Sequence, residues 1–138
     1  LDLKDRLGLT YIVISHDLAH MKDIAHRIAV MYLGKIVESG PSREIVENPL
    51  HPYTKALISA VPIPDPQKAK SKERIILRGE IPSPANIPSG CRFRTRCPFA
   101  TDLCAQQEPE FAEEEPIHFA ACHYAKEIKE GRHSVAAS

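Results

Sequence analysis

Four cysteines, Cys91, Cys97, Cys104 and Cys122, fall within 32 residues of a 138-residue chain, and the other 106 residues contain none. Their spacing is C-x5-C-x6-C-x17-C. Confining every thiol to one segment asks that segment to close a crosslink or hold a bound group. Two disulfides fit the count, with three connectivities, but they need an oxidising compartment. A structural zinc site needs four thiolates about 2.3 Å from one ion, and most such sites use paired C-x-x-C knuckles. This chain has no such pair. A four-iron four-sulfur (4Fe–4S) cluster also takes four thiolates, on separate iron corners, and looser spacing suits that larger object. Four free thiols acting as small core residues are the remaining alternative. Spacing alone leaves zinc and cluster open. Arg92, Arg94 and Arg96 alternate with the first ligands and offer cationic donors against thiolate charge. His118 and His123 flank Cys122; each is read as a replacement ligand or, more simply, as a partly exposed loop residue.

The rest of the chain supplies a folding context. At 43% hydrophobic and 26% charged it can bury a core. Lys plus Arg and Asp plus Glu each total 18, and this balance argues against a dedicated nucleic-acid binder. No run approaches the roughly 20 apolar residues of a membrane-spanning helix. The first ten residues carry neither an initiator Met nor the apolar core of a secretory signal, so the chain reads as a piece of a longer protein.

Leu1, Leu3, Leu7 and Leu9, interleaved with charges, predict the end of an amphipathic helix that stops near Gly8. Tyr11 to Ile14 is a β-branched run expected as a strand buried on both faces. Leu18 to Ala25 is helix-permissive. Arg27 to Leu33 and Lys35 to Glu38 predict a hairpin about a Gly34-Lys35 turn. Ser42 is expected to cap a helix running through Asn48, and His51-Pro52 to open another, with His51 as its cap. On that second helix Tyr53, Ala56, Leu57 and Ala60 share a face, and Tyr53 reads at least as well as a packing residue as a contact for substrate. Six of the twelve prolines lie between Pro62 and Gly90, predicting an extended linker with one strand-like island, Arg74 to Arg78. Glu108, Glu110, Glu113, Glu114 and Glu115 read as a solvated acidic loop, or as countercharge to the three arginines, and the last eight residues as a frayed tail. The organisation is two units joined by a strap: residues 1–61, a linker over 62–90, a cysteine unit over 91–131, and a tail over 132–138.

Ser15, His16 and Asp17 follow the first predicted strand. Three consecutive side chains cannot line up nucleophile, base and orienter, so a hydrolytic triad is rejected. What fits is one imidazole delivered at the carboxyl end of a buried strand, where open α/β sheets bind ligands and where it can donate to a phosphate oxygen or to an attacking water. The alternative is a histidine that orients a turn.

These residues carry a resemblance. ISHDL with its following helix, RIAVMYLGKIVESG and NPLHPYT resemble the later part of an ABC transporter nucleotide-binding subunit. GEIPSPANIPSGCRFRTRCPFATDLC and the final ACHY narrow the likeness to ATPase subunits of oligopeptide/dipeptide (and nickel) importers. The first block is shared by ABC ATPases generally; HPYT with the four-cysteine tail is far more specific. The resemblance implies an α/β fold: the C-terminal piece of a P-loop ABC ATPase domain, a proline-rich linker and a small, loop-rich, cluster-binding extension with four cysteines. It makes His16 the switch histidine, contacting the γ-phosphate of ATP across a dimer of ATPase subunits, with Asp17 near that interface. It maps a 4Fe–4S cluster onto Cys91, Cys97, Cys104 and Cys122, with zinc as the alternative. It further implies Mg²⁺, transmembrane permease subunits, a second ATPase subunit (identical or paralogous), an extracytoplasmic peptide-binding protein acting indirectly, and a place on the cytoplasmic face of the membrane. The phosphate-cradling G-x-x-x-x-G-K-S/T loop, the LSGGQ-type signature and a strand ending in Asp-Glu are all missing from these 138 residues. The chain alone is therefore expected not to hydrolyse ATP. A non-enzymatic metal- or cluster-binding module, regulatory or structural, is the competing reading.

Overall fold

The computed structural model describes residues 2–62 and 74–133. In chain order the elements are α1 (Asp2–Leu7), α2 (Leu18–Ile24), β1 (Arg27–Tyr32), β2 (Lys35–Pro41), α3 (Ser42–Glu47), α4 (Pro52–Ala60), α5 (Asp102–Gln106), β3 (Ala112–Glu115), β4 (His118–Ala120) and α6 (Ala125–Lys129). The four strands form one antiparallel sheet in the order β1-β2-β4-β3.

The expected hairpin is present, one residue earlier at its tip. Tyr32 pairs with Lys35, so the connection is Leu33-Gly34, with φ of 45° and 76°. Positive φ at both central residues is the twist-matched geometry of two-residue hairpins. Along β1, buried Ile28, Val30 and Tyr32 alternate with exposed Arg27, Ala29 and Met31, so one face of the strand meets the core. The pairing shifts after Val30, because Val30 opposes Glu38 while Met31 opposes Ile36. This bulge gives β2 an extra residue, and it buries two successive side chains, Val37 and Glu38.

Three local expectations are corrected. Tyr11 to Ile14 is not a strand: no ladder partner lies beside it among the described residues, and Ile12 and Ile14 are 94% and 97% exposed. A strand meant for burial on both faces needs neighbours on both sides, and the sheet here is built entirely from later elements. Ser42 is the first residue of α3 rather than its cap; Pro41 holds the cap position, and the Ser42 hydroxyl reaches the Lys22 carbonyl at 3.4 Å. Arg74 to Arg78 is irregular chain, yet its burial alternates and Leu77 packs on the core. Its Ile75 N–H is satisfied by the Ser59 hydroxyl at 3.1 Å instead of by a strand. Most of the linker's first half, residues 63–73, lies outside the described residues.

His51 caps α4 as expected, its Nδ1 accepting from the Tyr53 N–H at 3.1 Å with Pro52 in the first turn. The core gathers Ile28, Val30, Tyr32, Val37, Ile45 and Phe93. Phe93 comes from between the first two cysteines, and its ring lies 5.1 Å from Tyr32 and 5.4 Å from Tyr53. The segments expected as separate units therefore share both a core and a sheet, since β4 pairs with β2.

Candidate functional site

The four cysteines meet at one cavity. Cys91, Cys97, Cys104 and Cys122 line it together with His51, Arg94, Phe99, His123 and Tyr124. All four are free thiols; Cys104 is buried and the others are half-buried. Burial pushes Cys91 up from the ordinary thiol range, and takes Cys97 and Cys122 up to about 12, with the neighbouring cysteines adding to the rise in each case. Thiols that disfavour one another's ionisation face a common space, and a cation placed there would reverse that preference.

Two backbone devices bring the ligand segments together. The Cys91 N–H donates to the Cys104 carbonyl at 2.8 Å. Gly90, just before it, has φ +64°, and a Cβ there would lie 2.3 Å from the same carbonyl oxygen. Only glycine admits both that conformation and that approach. The chain turns back on itself through Arg94 N–H to the Cys91 carbonyl (3.1 Å) and Ala100 N–H to the Cys97 carbonyl (3.3 Å).

The arginines divide their tasks. Arg94 lines the cavity and is held by the Ser89 carbonyl at 2.8 Å. Arg92 reaches away to the Leu33 carbonyl at the hairpin tip, and the Nε of Arg96 is buried without a hydrogen-bond partner among the described residues. Of the three, Arg94 is the one that lines the thiol cavity. The acidic stretch answers lysines instead: Lys35–Glu108, Lys126–Glu114 and Lys129–Glu115 are ion pairs, and Glu113 to Glu115 form part of β3. The start of the tail is docked, with the His133 Nε2 donating to the Phe99 carbonyl at 3.1 Å; residues 134–138 lie outside the described residues.

A buried polar node beside the cavity has no counterpart in the sequence reading. Glu38 has no exposed surface, and its carboxylate accepts from the Leu50 N–H at 2.7 Å, the His51 N–H at 2.9 Å and the His118 Nε2 at 2.7 Å. His118, expected on a loop, is 1% exposed on β4, two residues from the Ala120 that pairs with Glu38. Its ring lies against Gly40, where a Cβ would come within 3.0 Å of it. Simple alternation along β2 does not foretell that Glu38 is buried beside Val37; the bulge does. His51 links the node to the cavity. Burial drives its pKa down to about 4, against the opposing pull of Glu38 and of a hydrogen bond with the Ala121 backbone. His123, the other histidine beside Cys122, lines the cavity and donates to the Gln107 carbonyl at 2.9 Å. Thr101 and Tyr124, also unmarked in the sequence, stand next to Cys104 through hydrogen-bonded hydroxyls.

The donor set is chemically that of a thiolate-bound group. Among the described residues, no group of three or more His, Cys, Asp or Glu side chains is placed to hold a metal ion. Four sulfurs around one zinc would stand about 3.8 Å apart. Four cysteines around a shared cavity are the donor set that either a zinc ion or an iron–sulfur cluster takes.

The Ser15-His16-Asp17 segment is a separate place. His16 is exposed, and Asp17 caps α2: its Oδ1 accepts from the His20 N–H at 3.3 Å, while its Oδ2 pairs with the His20 ring at 2.6 Å. The Ser15 hydroxyl accepts from the Asp17 N–H at 3.0 Å, which fixes the turn that presents His16.

Comparison with known proteins places the chain. Residues 37–104 match the family model described as oligopeptide/dipeptide transporter, C-terminal region. The oligopeptide transport ATP-binding protein AppF of Bacillus subtilis is 52% identical over 122 residues, covering 88% of this chain and 37% of that protein. The oligopeptide transport ATP-binding protein OppF of Haemophilus influenzae is 51% identical over 120 residues, covering 87% of this chain and 36% of its own length. The chain thus spans little more than a third of these relatives. The HPYT helix, residues 37–41 of the hairpin's second strand and the first three cysteines lie inside the matched region, so that over nearly half its length the chain is similar to the C-terminal region of oligopeptide/dipeptide transporters.

Proposed function

We propose that this chain is the C-terminal portion of the ATP-hydrolysing subunit of an oligopeptide/dipeptide importer, and that its four cysteines hold a 4Fe–4S cluster. The observation that carries the first part is the 52% identity to AppF across 88% of the chain. In the whole subunit ATP and Mg²⁺ would bind on segments beyond these residues. His16, presented on its turn with Asp17 committed to capping α2, would donate to the γ-phosphate across a pair of ATPase subunits. Closure of that pair would act on transmembrane permease subunits at the cytoplasmic face, with a peptide-binding protein delivering cargo from outside.

The second part is supported by the convergence of Cys91, Cys97, Cys104 and Cys122 on one cavity. Such a cluster supplies redox poise and a crosslink among four points of the chain. The protein's own residues do the rest: Gly90 lets the Cys91 and Cys104 segments meet, Arg94 faces the thiols with positive charge, and Phe99 and Tyr124 exclude water.

Two measurements test the reading. Protein purified without oxygen should be brown, with a broad absorption near ~400 nm and about four irons per chain; a colourless sample with one zinc would replace the cluster by a structural staple. In the full-length subunit His16→Ala should retain ATP binding and lose most hydrolysis, and unchanged turnover would remove His16 from the mechanism.

A further inference from the structure

Thr101 stands at the N-cap of α5, where a threonine hydroxyl ordinarily accepts from an N–H of the first turn. Here it makes no capping bond. Its Oγ1 lies instead 3.7 Å from the Sγ of Cys104 and 2.9 Å from the hydroxyl of Tyr124. Tyr124 is itself fixed: its ring stacks on His133 with centroids 4.3 Å apart and planes 9° apart, and His133 is anchored on the Phe99 carbonyl. A hydroxyl drawn away from its local cap and aimed at a buried sulfur needs a reason, and proton counting supplies one. A metal-bound Cys104 is a thiolate and can only accept. The single Thr101 proton then points at the sulfur, and the Thr101 oxygen is left to accept from the Tyr124 O–H. The chain runs from Tyr124 through Thr101 to Cys104, each donor polarised by the one before it.

We propose that Thr101, oriented by Tyr124, is a positioning residue of the cysteine centre that donates to the Cys104 sulfur and sets the reduction potential of the cluster held there. The inference rests on the cluster reading above. A hydrogen bond to a ligand sulfur withdraws electron density from the thiolate, so the reduced state, with its extra negative charge, is favoured.

The test compares the 138-residue chain with its Thr101→Val, Thr101→Ser and Tyr124→Phe variants, all reconstituted with iron and sulfide without oxygen. Iron and sulfide are counted per chain, and the cluster is titrated with dithionite against redox mediators. Thr101→Val should keep its iron and shift the midpoint negative, by on the order of tenfold in the redox equilibrium, ~59 mV for a one-electron couple. Thr101→Ser should return toward wild type, and Tyr124→Phe should shift in the same direction by less. Equal iron with an unchanged midpoint in Thr101→Val, or a Thr101→Ser midpoint that matches Thr101→Val, overturns the assignment while leaving the cluster in place. Should Thr101→Val fail to load, an unchanged Tyr124→Phe midpoint overturns it. A wild-type chain that takes up no iron overturns the cluster reading itself, and this inference with it.

Discussion

Two short apolar runs in this chain, each with β-branched residues and a tyrosine, have opposite fates. Tyr11-Ile12-Val13-Ile14 is exposed and unpaired among the described residues, whereas Ile28-Ala29-Val30-Met31-Tyr32 lies in β1 and buries alternate side chains. The difference lies in what each run finds beside it. β1 is followed by a two-residue turn and its own partner strand, and β4 extends the sheet from much later in the chain. Among the described residues, Tyr11 to Ile14 has no such neighbour. Strand propensity describes fitness for a pleated, half-buried surface, and the surface has to be supplied. The comparison can be sharpened by asking how strongly the buried part is locked and how little the exposed run contributes.

The largest effect is expected at Glu38. Replacing it with alanine leaves two backbone N–H groups and His118 facing a void, with no exposed surface through which water could serve them. Breaking a buried polar set of this kind costs about 3–5 kcal/mol. Urea unfolding of Glu38→Ala should show that loss, and Glu38→Gln, which keeps one acceptor oxygen, should lose less. A loss below about 1 kcal/mol in the alanine variant would mean that the node is dispensable and that the sheet is held by its apolar face.

The second effect depends on pH and on His51. Its folded pKa of about 4 lies below the usual value of 6.5, so between those limits the unfolded chain takes up a proton that the folded chain refuses. Stability from this group is complete above about pH 6.5 and is lost as pH falls toward 4, a difference of about 3 kcal/mol. Unfolding measured at about pH 7 and about pH 4.5 should show that fall, and His51→Gln should flatten it. An equally steep dependence in the variant would assign it to other groups.

How much of this could be read in advance follows from the range of each interaction. The hairpin, the His51 cap and the HPYT helix are readable because turn, cap and face periodicity are local. The gathering of the cysteines is foreshadowed by their confinement to one segment, although spacing does not say that Gly90 brings Cys91 against Cys104. Glu38 is hidden because a single-residue bulge reverses the face that alternation assigns to it. His118, Thr101 and Tyr124 are hidden because their partners lie 80, 23 and 23 residues away in the chain, and nothing local marks such pairs. The same range explains the run at Tyr11, whose composition is a local property and whose pairing is not.

Gly90 offers an intermediate test on the ordered side of the comparison. Alanine there meets the Cys104 carbonyl at 2.3 Å in a left-handed conformation, so the backbone must move. A loss of about 2 kcal/mol is expected from the strained conformation and the overlap together. If the four cysteines bind one group, its uptake should fall with stability, since the displaced carbonyl belongs to a ligand residue. Full iron loading in Gly90→Ala would show that the close approach serves the fold alone.

The smallest effect belongs to the exposed run, and it turns on context. In the 138-residue chain Ile14→Thr removes no buried contact, because Ile14 is 97% exposed, and unfolding should change by less than about 0.5 kcal/mol. The strand expected there from sequence would need further segments of a full-length subunit to cover it. In such a subunit the same substitution would place a hydroxyl in a core and cost about 1–3 kcal/mol. Measuring Ile14→Thr in both lengths isolates what the neighbours contribute, because the local sequence is identical in the two. Equal small losses would mean that the run stays exposed in the whole protein, and that His16, two residues on, is presented by its own turn rather than by a strand end. A large loss confined to the full-length subunit would make the strand, and the position of His16 at its end, a property of the longer chain.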